Sequence, residues 1–356
     1  MMSGKQRTKI ALSFGEPDRV PRFWPGFWPE FVEIWTRSHP GADPLEYFGS
    51  DVRLVAPDES AWPGQAGIQR VEGDMIVFRD GWGQLKRSQR TKQGMGELLE
   101  PAVRGRIDPD TLAFQDPAAD NRYEEAARQM DRWKDDLFIF GKTGGPYLRA
   151  AFMRGEENFW MDVAEDPQWT RAFVDRVADH ITAVGVEQIR RFGLEDSGIA
   201  IYDDVASSAG PFVGPHHYES IFLPALRRMV KAYKDAGAGV VMHHSDGNVL
   251  PLLDMWIDAG VQAINPVEFR TGMDPVAICR QYDGRLVCIG GLDNCAILPR
   301  GDRDEVRDHV LHLLEAGRGG GFVIGPHSIG PDVDPATMQY VLELLDEHGT
   351  YPLARS

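Results

Sequence analysis

The sequence predicts an α/β fold, a (β/α)8 TIM barrel with an inserted β-hairpin region near the N-terminus. Three observations lead there. Short apolar, β-branched runs alternate with longer segments of helical period, the pattern of a parallel sheet with helical crossovers. Several runs, such as GVVM at 239–242 and GFVIG at 321–325, are hydrophobic throughout, as strands buried on both faces are. No Gly-x-Gly-x-x-Gly follows the first run, and about seven or eight successive βα units exceed what an open doubly wound sheet usually holds. Residues 1–356 therefore read as a single barrel domain.

Taken in order, the candidate strands are Arg22–Pro25, Leu137–Gly141, Gly198–Tyr202, Gly239–His244, Ala263–Pro266, Leu286–Gly290 and Gly321–Gly325. The segment 166–191 opens on Asp-Pro, and a proline in the first helical turn gives up only an N–H that would be unsatisfied anyway. Residues 249–259, 275–282, 302–316 and 335–348 have the same helical character. Residues 51–116 break the rhythm. They lack helical periodicity, and the period-two stretches around Asp80–Gly81 read as a β-hairpin inserted after the first helix to cap the barrel mouth.

Hydrophobic residues make up 42% and charged residues 26%, a balance that allows a large globular core. No apolar run reaches the roughly 18 to 20 residues of a membrane helix. The opening MMSGKQRTKIALSFGEPDRVPRF lacks a secretory h-region, so the expectation is a cytoplasmic protein. Cys279, Cys288 and Cys295 are too few for a disulfide framework and lack Cys-x-x-Cys spacing. A net charge of −16 argues against nucleic acid and anionic membrane as partners, and suits a small organic substrate.

In a barrel, polar residues at the C-terminal strand ends converge on one cavity. Asp203 and Asp204 follow Gly198–Tyr202, and only one of two adjacent residues at a strand end can face inward. The chosen one is a candidate acid/base or substrate anchor, with helix capping as the alternative. HHSDGN at 243–248 is the densest cluster of functional groups. His243 and His244 cannot both point inward, whereas His244, Asp246 and Asn248 share a parity. An imidazole and a carboxylate two residues apart could bind a metal or form an acid/base pair. Asp246 or Asn248 could instead cap the next helix. Later strand ends carry Asn265 and Glu268, then Asp293 after a Gly-Gly, then His327 and Ser328. Trp24, Phe27, Trp28, Phe31 and Trp35 fall at helical spacing, which usually means core. Trp24, Phe27 and Trp28 could also line an apolar pocket for a flat substrate.

Four strings resemble the uroporphyrinogen decarboxylase superfamily: EPDRVPRFWP at 16–25, YDDVASSAGPFVGPHHYESIFLPALRRMVKA at 202–232, HHSDGNVLPLLDMWIDAGVQAINPVE at 243–268, and GGLD at 290–293 followed by GGFVIGP at 320–326. The resemblance covers most of residues 15–348. In the porphyrin decarboxylases an Arg-rich N-terminal motif holds the substrate's carboxylates. Here the stretch is PRFWPGFWPEF, with Arg22 its lone basic residue, which argues against a polycarboxylate porphyrinogen as substrate. A second branch, which this chain resembles more closely, moves methyl groups to or from a corrinoid protein or a thiol. Some of its members hold zinc through His-x-Cys and a later Cys. The resemblance places His244, Asp246 and His327 at those positions, so a harder His/carboxylate zinc site replaces a thiolate one.

The expected function is thus an O-demethylase-type methyltransferase. It would pass the methyl of a small methoxylated aromatic compound to cobalamin on a separate corrinoid protein. His244, Asp246, Glu268 and His327 would hold metal or protonate the leaving oxygen, and Asp203 or Asp204 would orient substrate. Asn265, Asp293 and His327 are further candidates for substrate binding. A cofactor-independent decarboxylase acting on a small carboxylic acid, with Asp203 or Asp204 as the acid/base, is the alternative. A barrel that only binds is a third reading. The resemblance also suggests a homodimer.

Overall fold

A computed structural model describes residues 2–90 and 96–353. Its strands, in chain order, are β1 (Val52–Val55), β2 (Gly67–Glu72), β3 (Met75–Arg79), β4 (Leu85–Gln89), β5 (Glu97–Glu100), β6 (Phe138–Gly144), β7 (Gly198–Tyr202), β8 (Ala206–Ser207), β9 (Gly210–Pro211), β10 (Val240–His244), β11 (Ala263–Asn265), β12 (Val287–Gly291) and β13 (Phe322–Gly325). Seven of them form one sheet in the order β1-β6-β7-β10-β11-β12-β13. Every pairing in it is parallel, and helices make the crossovers. Six of the strands expected from apolar runs are present within a residue or two, or three at the end of β6.

The expected first strand, Arg22–Pro25, is a correction. Only Arg22 pairs in a ladder, with Ile324. Pro21 and Pro25 bracket the segment and supply no N–H. It still touches both edges of the sheet: Phe23 N donates to Ile324 O at 2.9 Å, and Asp51 N, next to β1, donates to Arg22 O at 2.8 Å.

The insertion also differs from the reading of the sequence. Val52–Val55, placed there with the insertion, is an edge strand of the parallel sheet, aligned with Phe138–Gly141. Its four residues are too few to show a period against their Pro-rich surroundings. The turn around Asp80–Gly81 does reverse the chain, and Asp80 Oδ1 accepts the N–H groups of Trp82 and Gln84. Instead of one hairpin, however, β2-β3-β4-β5 form a four-stranded antiparallel sheet. Residues 91–95 of the insertion lie outside the described residues.

The helices start where the sequence marks them. Asp166 caps Pro167–Phe192, Asp302 caps Arg303–Ala316 and Asp334 caps Pro335–His348, each through a carboxylate accepting a first-turn N–H. The segment expected as a helix from Val249 begins as a 3-10 turn, Leu250–Leu252, before the α-helix Leu253–Ala259. Among the described residues no helix is long and apolar enough to cross a membrane.

Strand periodicity splits the core. Phe138, Phe140, Ala200, Met242, Ala263, Val287, Ile289 and Val323, from alternate strand positions, cluster on one face of the sheet. The opposite parity, including Ile199, Ile201, Val241 and Ile264, packs under the helices. This alternation decides which strand-end residues reach the cavity.

Two buried histidines tie this packing to pH. His309 Nε2 accepts the Asp293 N–H at 3.1 Å, and burial, with His312 adding to it, pushes its pKa down to about 4. His180, facing Glu59 O at 3.1 Å, is lowered for the same reason. A histidine neutral in the fold but titrating near 6.5 when unfolded gives stability that is present above pH 6.5 and is lost as pH falls toward the folded value. We expect His309 to account for about 2 kcal/mol of lost stability by pH 5. Thermal unfolding at pH 7 and pH 5 checks this, because His309→Gln should show a smaller acid-induced drop in Tm than wild type.

Candidate functional site

The face that buries Phe138 and Phe140 continues to Lys142; Ala200 leads to Tyr202, Met242 to His244 and Ala263 to Asn265. Each polar group is the next same-facing position after an apolar one, at the C-terminal end of its strand. Lys142, Tyr202 and His244, together with Leu54, Phe27, Trp28, His327 and Ser328, line a cavity of about 360 Å³. His243 faces the other way, with its ring stacked on Trp256 at 3.9 Å.

His244 is held in one tautomer. The Asn265 amide donates from Nδ2 to Ile289 O at 2.9 Å, so its Oδ1 must be the atom 2.6 Å from His244 Nδ1. Nδ1 therefore carries the hydrogen, and the Nε2 lone pair is free toward the cavity. Tyr202 stacks flat on the imidazole, centroids 3.9 Å apart. Burial is the main reason that His244 resists protonation, with a pKa well below the ordinary histidine value, and the neighbouring His327 adds to it.

Three side chains then converge. Asp246 Oδ1 lies 3.7 Å from His244 Nε2 and 3.6 Å from His327 Nε2. Each residue can offer one ligand atom such that all lie within 4.8 Å of one another. Asp246 Oδ1 is buried and has no hydrogen-bond partner, although native structures rarely leave such an atom unpaired. The spacing is too wide for hydrogen bonds yet suits donors sharing an ion at about 2.0–2.2 Å each, so the set fits a divalent metal. Burial pushes Asp246 up to about 6, with the negative charges of Asp204 and Glu268 adding to the effect.

The supporting carboxylates hold the Asp246 loop. Asp204 Oδ1 accepts the Asp246 N–H at 3.1 Å and sits 3.7 Å from His244 Nε2. Glu268 Oε2 accepts the Gly247 N–H at 2.9 Å. Val267, just before Glu268, has φ of 58°, an unfavourable conformation for a β-branched residue. Asn265, expected to bind substrate, instead orients His244.

Other expected residues lie elsewhere. Asp203 is fully buried, accepts the Tyr147 and Leu148 N–H groups at 3.1 and 2.6 Å, and so caps the helix Pro146–Arg154. Burial raises its pKa to about 7. Of the adjacent pair, Asp204 is the one in the cluster. Trp24 is core, 1% exposed, with its indole N–H donated to Phe48 O at 2.9 Å; Phe31 and Trp35 are buried with it. Asn248 closes a local turn, accepting from Leu250 N and donating to Thr271 O. Asp293 Oδ1 accepts the N–H groups of Cys295 and Ala296, and Asp293 shares a cleft with Glu268 and His327. Arg22 is turned away and paired with Asp346 at 2.5 Å. Phe27 and Trp28 do line the cavity, Trp28 through an indole N–H donated to Ser328 Oγ at 3.2 Å.

Lys142 and Tyr202 were missed by the reading of the sequence. Their signal was present: each is the first polar residue of its strand on the parity of the apolar residues before it.

Residues 92–348 match the model of the uroporphyrinogen decarboxylase (URO-D) family. The chain belongs to this family. It is 24% identical over 265 residues to uroporphyrinogen decarboxylase of Geobacillus kaustophilus, an alignment spanning 72% of each protein. It is 26% identical over 191 residues to methylcobamide:CoM methyltransferase of Methanosarcina acetivorans, covering 53% of this chain and 52% of that protein. Its fold is that of a methyltransferase from Methanosarcina mazei, with a TM-score of 0.70 and 17% identity over 98% of this chain and 99% of the other.

Proposed function

We propose that this protein is a methyltransferase of the O-demethylase type, taking the methyl of a small methoxylated aromatic compound and passing it to a corrinoid cofactor on a separate protein. The likeness to methylcobamide:CoM methyltransferase supports the acceptor. The cavity supports the donor: its walls include Phe27, Trp28 and Tyr202, and no arginine lines it among the described residues. One observation carries the reading, the buried, unpartnered Asp246 Oδ1 between two imidazole nitrogens.

His244 Nε2, Asp246 Oδ1 and His327 Nε2 would hold zinc. Zinc bound there would supply Lewis-acid stabilisation of the ether oxygen as it loses its methyl group. Asn265 and Tyr202 keep the His244 lone pair aimed at that point, and Asp204 and Glu268 fix the Asp246 loop through its backbone. Phe27 and Trp28 hold a flat ring and keep water from the reacting bond. The segment 22–25 would close the parallel sheet into an eight-stranded barrel between β13 and β1, and the β-rich region that follows β1 would cap the mouth.

Metal analysis of the purified protein and a methyl-transfer assay with added reduced cobalamin test this. The expected result is bound zinc and methylcobalamin formed from a methoxylated aromatic; neither metal nor transfer would defeat it. The likeness to uroporphyrinogen decarboxylases keeps a second reading, a cofactor-independent decarboxylase of a small acid. Carbon dioxide release without cobalamin would select it.

A further inference from the structure

We propose that Lys142 is the anchor for an anionic group on the substrate, so that the compound this cavity takes is a flat aromatic carboxylate with its charged end away from His244. The inference rests on the reading above only for the identity of the reacting end.

Lys142 lines the cavity, and its ammonium sits over the Tyr202 ring, 3.9 Å from the centroid. Among the described residues no carboxylate is within ion-pair distance of it. Lys86, also partly buried, pairs with Asp80 at 2.9 Å. The two carboxylates acting on Lys142 are otherwise engaged: Glu59 binds Arg149 at 2.6 Å and accepts the Gly144 N–H, and Asp204 accepts the Asp246 N–H at 3.1 Å. Burial disfavours the charge of Lys142, and Glu59 and Asp204 only partly offset this. A half-buried cation without a close partner is costly, and an incoming carboxylate would remove that cost.

The layering sets the orientation. β7 lies between β6 and β10, so Tyr202 separates Lys142 from His244. Both approach the same ring to 3.9 Å, which sterics allow only from opposite faces. On the His244 side stand Asp204, Asp246 and Glu268, which repel an anion. On the other side Lys142 attracts one. A substrate with a carboxylate at one end and an ether at the other is thus turned with its ether toward His244, one aromatic ring away from the anchor.

Calorimetric titration with 4-methoxybenzoate and with its neutral isostere 4-methoxybenzamide tests this, with and without added zinc. Wild type should bind the acid at least about tenfold more tightly than the amide. Lys142→Met should abolish the preference, and Lys142→Arg should keep much of it. Equal binding of the two compounds to wild type would overturn the proposal without any variant. A preference that persists in Lys142→Met would overturn it too, assigning the anion to the metal instead. If the acid preference holds and depends on Lys142 but no methyl moves to cobalamin, the anchor stands and the methyltransferase reading falls.

Discussion

If the protein is the zinc methyltransferase proposed, replacing Asp246 with asparagine is expected to strip it of metal and of methyl transfer while leaving it folded. The side chain keeps its shape but loses the charge that a zinc ligand set with two neutral imidazoles needs. Zinc should fall from about one per chain to below roughly a tenth, and methyl transfer by at least about 100-fold. The same exchange should not destabilise the metal-free protein. Asp246 Oδ1 is a buried acceptor without a partner, held near Asp204 and Glu268, so removing its charge relieves an existing cost. Metal content, rate and Tm of the metal-free form measure all three. An asparagine variant that keeps its metal and its rate would remove the carboxylate from the site.

The largest effect on stability is expected at Gly290. Its φ is 130°, and an added Cβ would stand 1.7 Å from Pro266 O. That carbonyl already accepts the Gly291 N–H at 2.8 Å, so β12 is locked to the residue that directly follows Asn265 at the end of β11. Neither backbone can retreat without moving the residue that orients His244. Gly290→Ala should therefore cost about 4 kcal/mol or more, or yield insoluble protein. Gly105→Ala is the control, since a Cβ there meets nothing within 4 Å and the residue is exposed. Denaturant unfolding of the pair checks this, and a Gly290→Ala protein as stable as wild type would refute the close-approach argument.

The elements of the fold that could be read in advance are those whose signal is local. GVVM and GFVIG announce buried strands because both faces are covered, and Asp-Pro at 166–167 and 334–335 announces helix starts because the carboxylate and the fixed φ act within one turn. The short β1 carries no such signal, and only its pairing with β6 makes it a strand of the sheet; the segment at 22–25 reads as a strand, but its bracketing prolines leave it single hydrogen bonds to the sheet's two edges. At the site, chemical type pointed to His244, Asp246 and His327. It could not show that Asp203 caps a helix while Asp204 faces the cluster, or that Asn265 serves the imidazole. Those roles depend on atoms contributed by Tyr147, Leu148 and Ile289, distant in the chain.

From its sequence alone this chain determined its alternating strands and helices, its capped helix starts and its family, because periodicity, capping and motif strings are properties of neighbouring residues. The tertiary structure alone decided that Trp24 is core, that Lys142 and Tyr202 belong to the cavity, and that Asp246 stands unpaired between two imidazoles. The physical reason is that strand parity becomes a direction in space only when β6, β7 and β10 lie side by side in register, and an unpaired atom is defined only by what surrounds it.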